Sequence, residues 1–344
     1  MFTKLSICIA TYSRGAFIGA TLDSILVQME PGVEIVVVDG ASPDSTPEVM
    51  ARYVLQHPEI RYFRESINSG VDADFDKAVG YARGEYCWLM TDDDLLRSGA
   101  LTKVLLTLNG EDDLIVVNSE VRNKDMSVVF ENQSLMFDAD KGYHQVDSEA
   151  FFAEIAAYLS FIGCVIIRRT CWLSRDRATY YGTLFIHVGV IFQTPPIANV
   201  RVIAEPLIVI RYGNAMWTPR SFEIWMFKWP KLIWSFPDFS DAVKRKVCRR
   251  EPWRSAKALF HNRALGAYSV AEFRKFWPNE TSKVERVIAY VLSVFPASVA
   301  NFIMVFYFAI LVKPAPMALH DLLCSRNAGL LSRLVTRVLG GVRK

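Results

Sequence analysis

Short apolar runs rich in isoleucine and valine recur along the first half of the chain. Between them lie segments whose apolar positions return every three or four residues. Residues 5–10 and 34–39 have the composition of buried strands, while Ile18, Leu22, Ile25 and Leu26 share one face of a helix. The pattern continues with a helix over 47–55, a strand over 60–64, a helix over 74–82, a strand over 86–90, a helix over 99–108 and a strand over 114–119. Such alternation predicts an α/β fold, a mostly parallel sheet flanked by helices. Residues 120–160 are less regular and yield one helix, 148–158. Strands are expected at 165–168 and at 202–211, the latter broken by Pro206.

In parallel sheets the ligand crevice lies outside the carboxyl ends of the strands, where loops and helix N-termini bring unpaired N–H groups together. The polar clusters of this chain fall at those ends: Thr11-Tyr12-Ser13-Arg14, Asp39-Gly40-Ala41-Ser42, Asn68-Ser69-Gly70-Val71-Asp72 and Thr91-Asp92-Asp93-Asp94. Three adjacent carboxylates repel one another, and solvent or a hard divalent cation such as Mg²⁺ or Mn²⁺ relieves the repulsion. A solvated helix cap would use the same residues, since aspartate is favoured before a helix.

With these motifs in view, residues 5 to about 216 resemble a family-two glycosyltransferase with the GT-A fold. The resemblance is carried by Leu5-Ser6-Ile7-Cys8-Ile9-Ala10-Thr11-Tyr12-Ser13-Arg14, by Ile35-Val36-Val37-Val38-Asp39-Gly40-Ala41-Ser42, and by Gly84-Glu85-Tyr86 running into Thr91-Asp92-Asp93-Asp94. Through Gly70-Val71-Asp72, Trp88-Leu89-Met90 and Arg211-Tyr212-Gly213-Asn214 the chain is similar, more narrowly, to the abequosyltransferase-like branch of bacterial O-antigen and polysaccharide synthesis. The resemblance implies a nucleotide-sugar donor bordered by Ala10, Thr11, Tyr12 and Arg14. It places Asp39 against the base and Asp72 as a second polar contact, and makes Asp92, Asp93 and Asp94 the DXD element that holds the donor diphosphate through Mn²⁺ or Mg²⁺. Two positions depart from the family pattern: Ser13 stands where asparagine is usual, and Thr91 where the first aspartate often is.

The same resemblance implies inverting transfer of a sugar, for that branch a dideoxyhexose, to a saccharide on a polyprenyl diphosphate. Inverting members use an acidic residue to deprotonate the acceptor hydroxyl, yet Gly182-Thr183-Leu184-Phe185-Ile186-His187-Val188 holds no carboxylate. His187, with an ordinary pKa near 6.5, is the expected base, and Asp176 and Glu205 are the nearest substitutes. Arg211 and Asn214 follow the last strand and are expected to meet the acceptor or a phosphate.

Charge changes the picture of the second half. Residues 1–216 carry 18 Lys+Arg against 28 Asp+Glu, a net of −10, whereas residues 217–344 carry 21 against 8, a net of +13. The basic part is also rich in tryptophan, phenylalanine, valine and leucine, which favours a membrane surface over nucleic acid. Residues 287–312 hold no formal charge over 26 positions, between Arg286 and Lys313. That is longer than the roughly 20 residues a membrane span needs. Pro296 divides the stretch, however, and both flanks are basic, which argues for attachment in the interface at the cytoplasmic face of the inner membrane. Leu330, Leu331, Leu334, Val335, Val338 and Leu339, with Arg333 and Arg337 nearby, repeat the theme.

The expected division is therefore a catalytic domain over 1–216 and a helical, membrane-associating region over 217–344. The six cysteines show no metal-ligand spacing, and no GxGxxG follows the first strand, which disfavours a dinucleotide-dependent oxidoreductase. A membrane-bound scaffold that binds nucleotide or glycan without catalysis is the alternative to the enzyme.

Overall fold

The computed structural model describes residues 3–216, 218–312 and 315–339. Trp217, Lys313 and the side chains of Arg337, Val338 and Leu339 lie outside the described residues, as do Arg343 and Lys344. The chain forms two compact units. One runs to Tyr212 and includes Ser235–Val247; the other comprises Gly213–Trp234 and the chain from Cys248 onward.

The first unit is built on a sheet of ten strands: β1 (Leu5–Thr11), β2 (Val33–Asp39), β3 (Ile60–Arg64), β4 (Tyr86–Met90), β5 (Leu95–Leu96), β6 (Leu114–Arg122), β7 (Val129–Glu131), β8 (Lys141–His144), β9 (Val165–Arg168) and β10 (Asn199–Arg211). Their order is β3-β2-β1-β4-β9-β6-β10-β5, with β7 beside β6 and β8 beside β10. Helices α1 (Ile18–Leu26), α2 (Thr46–Gln56), α3 (Val71–Tyr81) and α4 (Ala100–Thr107) alternate with the early strands, and α5 (Ser148–Ile155), α6 (Arg169–Ser174) and α7 (Ile186–Phe192) follow. β1, β2 and β4 are buried along their whole length, which is why they read as continuous apolar runs rather than alternating ones.

The sheet is mixed rather than mostly parallel. β3, β2, β1 and β4 are parallel, as their βαβ spacing predicts. β9 then inserts antiparallel to both β4 and β6. No single helical crossover links β6 to β9, because β7, β8 and α5 intervene, so nothing forces the chain back into the parallel sense. Pro206 does not end β10; it shifts the register against β6 between Ile203 and Ile208, as a bulge does.

At the amino ends of the parallel strands, opposite the predicted crevice, β1, β2 and β4 are tied together by one buried network. Ser6 Oγ donates to Glu34 Oε1 at 2.6 Å and accepts from Gly84 N at 2.8 Å, while Glu34 also accepts from Arg83 N. A Cβ at Gly84 would lie 2.6 Å from Ser6 N and 2.8 Å from Tyr86 O, both backbone atoms.

The second unit is helical. Tyr268 stacks on Phe222 with ring centroids 4.8 Å apart, and its hydroxyl donates to the Ala289 carbonyl. In a separate cluster Ala264, Ala300, Val305 and Leu322 close around the helices Ala256–Leu265 and Ala297–Ile310.

Gly84→Ala is expected to lower the unfolding free energy by about 1–3 kcal/mol through backbone overpacking, measured by urea denaturation, with helix content unchanged in the folded state. Wild-type stability in that variant would show that the edge tolerates a side chain.

Candidate active site

Parallel packing brings the carboxyl ends of β1, β2 and β4 to one edge, and the loops there lock into one another. Three successive amides of the loop after β1 are met by side chains of the loop after β2. Ser13 N donates to Ser42 Oγ at 2.9 Å, Arg14 N to Thr46 Oγ1 at 2.9 Å and Gly15 N to Asp44 Oδ2 at 3.0 Å. Ser13 and Ala41 take left-handed backbone conformations, with φ of 56° and 62°. Gly15 is needed where the loops touch, since a Cβ there would sit 2.9 Å from the Ser45 and Thr46 backbone. Burial opposes ionisation of Asp44, but hydrogen bonds from Thr46 and Gly15 prevail and hold its carboxyl below the ordinary value. This interlock fixes the position of Arg14.

Asp39 closes β2 fully buried. Its Oδ1 accepts from Ser42 N at 2.8 Å and its Oδ2 from the Tyr62 hydroxyl at 2.6 Å. Each oxygen keeps a lone pair for a further donor. Ala10 and Thr11 are buried at the end of β1, and Tyr12 is half-buried beside them.

Asp72, expected beside the nucleotide, has another task. Its two oxygens accept from Leu184 N at 2.8 Å and Ile186 N at 3.0 Å, so it satisfies the amino end of α7. Asp74 instead approaches the Asp39–Gly40 loop: a Cβ on Gly40 would lie 2.7 Å from Asp74 Oδ2. Burial raises the Asp74 carboxyl, against hydrogen bonds and charge from Ser69 and Lys77. Asp72, Asp74 and Asp76 alternate along the first turns of α3, so helical geometry turns Asp74 away from its neighbours. That spacing is the available signal for Asp74; Ser42 stands in the strand-end cluster, while Tyr62 and Thr46 carry none in the sequence.

The acidic triplet separates into two roles. Asp94 is an internal anchor: its Oδ2 accepts from the Thr91 hydroxyl and its Oδ1 from Arg211 N at 2.7 Å. Asp92 and Asp93 both turn to Arg14, with Nε–Oδ1 at 3.4 Å and Nη2–Oδ2 at 3.3 Å, and all three side chains are about seven-eighths buried. Burial, then the charge of Asp93, pushes the Asp92 and Asp94 carboxyls above the usual carboxylate range. Arg14 counteracts this at Asp92, and the Thr91 and Arg211 hydrogen bonds do so at Asp94.

Arg211, expected to meet the acceptor or a phosphate, turns back on the acidic loop. Its Nε donates to the Asp93 carbonyl and its Nη1 to the Lys124 carbonyl, so it braces the acidic loop. Arg211, Arg14 and Lys124 all lie within 6.0 Å of the Phe17 ring centroid. Asn214 falls in the second unit.

Among the described residues no three His, Cys, Asp or Glu side chains converge as a metal cage. Asp92 and Asp93 remain a suitable pair, because Mg²⁺ and Mn²⁺ are commonly held by one or two carboxylates and completed by phosphate and water oxygens. Asp94 already accepts one hydrogen bond on each oxygen and anchors the loop that carries the pair.

His187 is misplaced for a base. It is buried in the first turn of α7, its Nε2 donates to the Leu159 carbonyl at 2.6 Å, and its Nδ1 has no hydrogen-bond partner. Burial lowers its pKa to about 4, with the hydrogen bond to Leu159 acting in the opposite sense. An apolar run long enough to hide the ring explains both facts. Of the substitutes, Asp176 sits in an exposed turn and accepts from Thr179 N, and Glu205 is exposed on β10.

Because the folded-state pKa of His187 lies below the unfolded value, its contribution is present above pH 6.5 and lost as pH falls through about 4. Its replacement in His187→Gln is expected to flatten the pH dependence of unfolding in that window by about 3 kcal/mol, read from denaturation curves across pH. Parallel curves for the two proteins would refute the buried neutral imidazole.

Residues 6–176 match the family described as glycosyl transferase family 2. The abequosyltransferase RfbV of Salmonella typhimurium is 29% identical over 225 residues, 61% of this chain and 67% of that protein. A GalNAc(5)-diNAcBac-PP-undecaprenol beta-1,3-glucosyltransferase of Campylobacter jejuni is 30% identical over 107 residues, 31% of this chain and only 35% of that protein. Among solved structures, S. aureus TarS 1-349 superimposes with a TM-score of 0.55 at 13% identity, covering 92% of this chain and 90% of that one, which establishes the shared GT-A-like fold. The strand-end carboxylates, the loop interlock and the family match lead to one conclusion: residues 6–176 form a family 2 glycosyltransferase domain, and the chain is a glycosyltransferase.

Proposed function

We propose that the protein transfers a sugar from a nucleoside-diphosphate donor to a polyprenyl-diphosphate-linked saccharide at the cytoplasmic face of the inner membrane, in the synthesis of a bacterial surface polysaccharide. The observation that carries the donor site is the pair Asp92 and Asp93, buried at a strand end beside Arg14 and next to the interlocked loop that presents Asp39. Two relatives support the reading: one is named an abequosyltransferase, and the name of the other specifies an undecaprenol-linked substrate.

Transfer expels a nucleoside diphosphate, so the site must stabilise charge growing on the departing oxygen. Asp92 and Asp93 would hold Mn²⁺ or Mg²⁺, which supplies Lewis-acid stabilisation of that charge. Arg14 and Lys124 add cationic side chains beside the Phe17 ring, and Arg211 keeps the acidic loop in register. Asp39 accepts hydrogen bonds from the base, and Ala10, Thr11 and Tyr12 line its approach. An inverting displacement of a dideoxyhexose fits the branch the sequence resembles.

Titration of the purified chain with UDP-, GDP-, CDP- and dTDP-sugars in Mn²⁺ is expected to find one nucleotide whose binding chelation abolishes. Asp93→Asn is expected to cut turnover by about a hundredfold or more with the melting temperature retained. Asp94→Asn, which disturbs Thr91 and Arg211, is expected to lose about 1–3 kcal/mol of stability. Full activity in Asp92→Asn and Asp93→Asn would remove the donor assignment.

A further inference from the structure

We propose that the outward faces of helices Lys283–Val294 and Ala297–Ile310 are a docking surface for an anionic lipid leaflet. This names the surface for the membrane location proposed above, and its evidence is independent of the transfer chemistry. The first helix reverses the polarity of a helix packed in water, and the second is apolar on both faces, burying Met304 and Val305 as well as Asn301. The first buries Ala289 and Ser293, and it exposes Val284 (69%), Val287 (61%), Ile288, Val291 and Val294, an uninterrupted stripe at helical spacing. Ser293 is satisfied locally by the Tyr290 carbonyl.

The second helix turns Asn301 inward. The Asn301 amide donates to the Leu322 carbonyl at 2.8 Å and its oxygen accepts from Ser332 Oγ at 2.8 Å, while Val299, Ile303, Phe306 and Ile310 face out. Leu330, Leu331 and Leu334 on the helix Leu330–Leu339 are exposed as well, with Ser332 buried. Scattered apolar residues on a surface are ordinary; contiguous stripes on consecutive helices mark a contact.

Two observations select lipid over another occupant. No single described helix is long and apolar enough to cross a membrane, and the two arms, which together have the length and composition of a span, are bent by 96° at the Phe295–Pro296 break, a shape an interface accommodates. The surrounding charge is positive. Residues 217–344 carry a net +13, Lys283 and Arg286 open the first arm, and its one acid, Glu285, is paired with Arg254 at 2.6 Å. Such charge attracts an anionic leaflet and repels a second copy of the same face.

The test is co-sedimentation of the full chain with vesicles of phosphatidylcholine, alone or mixed with phosphatidylglycerol, without nucleotide or metal. Binding is expected to be at least about tenfold tighter to the mixed vesicles and to weaken with salt. The double variants Val287→Glu with Val291→Glu, and Ile303→Glu with Phe306→Glu, are expected to lose binding at least about tenfold. Because the replaced side chains are exposed, unchanged circular dichroism and melting temperature serve as the folding control. Equal binding by wild type and variants, equal binding to both vesicle types, or a concentration-dependent dimer that the variants dissolve would each overturn the proposal. Loss of sugar transfer with vesicle binding intact would strike the catalytic reading alone.

Discussion

Carboxylates gathered at the carboxyl edge of a buried sheet repel one another, and most of the first unit's loop structure neutralises that repulsion. Asp39 is answered by an amide and a phenol, Asp44 by Thr46 and Gly15, Asp94 by Thr91 and the Arg211 amide, and Asp74 by Ser69 and Lys77. Asp92 and Asp93 differ in sharing one guanidinium at 3.3–3.4 Å, longer than a well-made charge-assisted hydrogen bond. Burial and the charge of Asp93 push the Asp92 carboxyl up, so positive charge brought there by a ligand would favour its ionised form.

Arg14 can stand at this point only because the backbone before and after it is held on the second loop. Of these amide hydrogen bonds, those of Ser13 and Arg14 are partly buried and that of Gly15 is exposed, and a donor left unpaired where water is excluded costs about 1–3 kcal/mol. The same hydrogen bonds therefore stabilise the crevice wall and orient the cation that faces the acidic pair. Arg211 does the equivalent from the other side, spending its donors on the carbonyls of Asp93 and Lys124.

Much of this edge was legible in the sequence, because strands buried on both faces show as unbroken runs and the residues closing them are read directly from position. Asp39 and the Asp92–Asp94 run were located in that way. What escaped was long-range or directional. The antiparallel entry of β9 depends on the path of residues 120–160, which have no clear period. Asp72 and Asp74 are two positions apart on one helix, and only its rotation decides that the first meets the start of α7 and the second meets Gly40. His187 was chosen for its chemistry, yet six of the seven residues of α7 are apolar or glycine, and burial governs the imidazole there. A titratable side chain in an apolar run is first of all a desolvation problem.

The apolar stretch 287–312 shows the opposite lesson. Its length alone suggests a span, but length does not say which way the side chains face. Burial decides: on the first arm Ala289 and Ser293 are turned inward and Val284, Val287, Ile288, Val291 and Val294 outward, while the second arm buries Asn301, Met304 and Val305 and still exposes Val299, Ile303, Phe306 and Ile310. A helix surrounded only by water would gain by the reverse arrangement, since each of these half-exposed side chains forgoes part of the roughly 1.5–3 kcal/mol that full burial contributes. Under the docking proposal, that exposure and the lysine and arginine around it suit a surface that is apolar within and anionic at its rim.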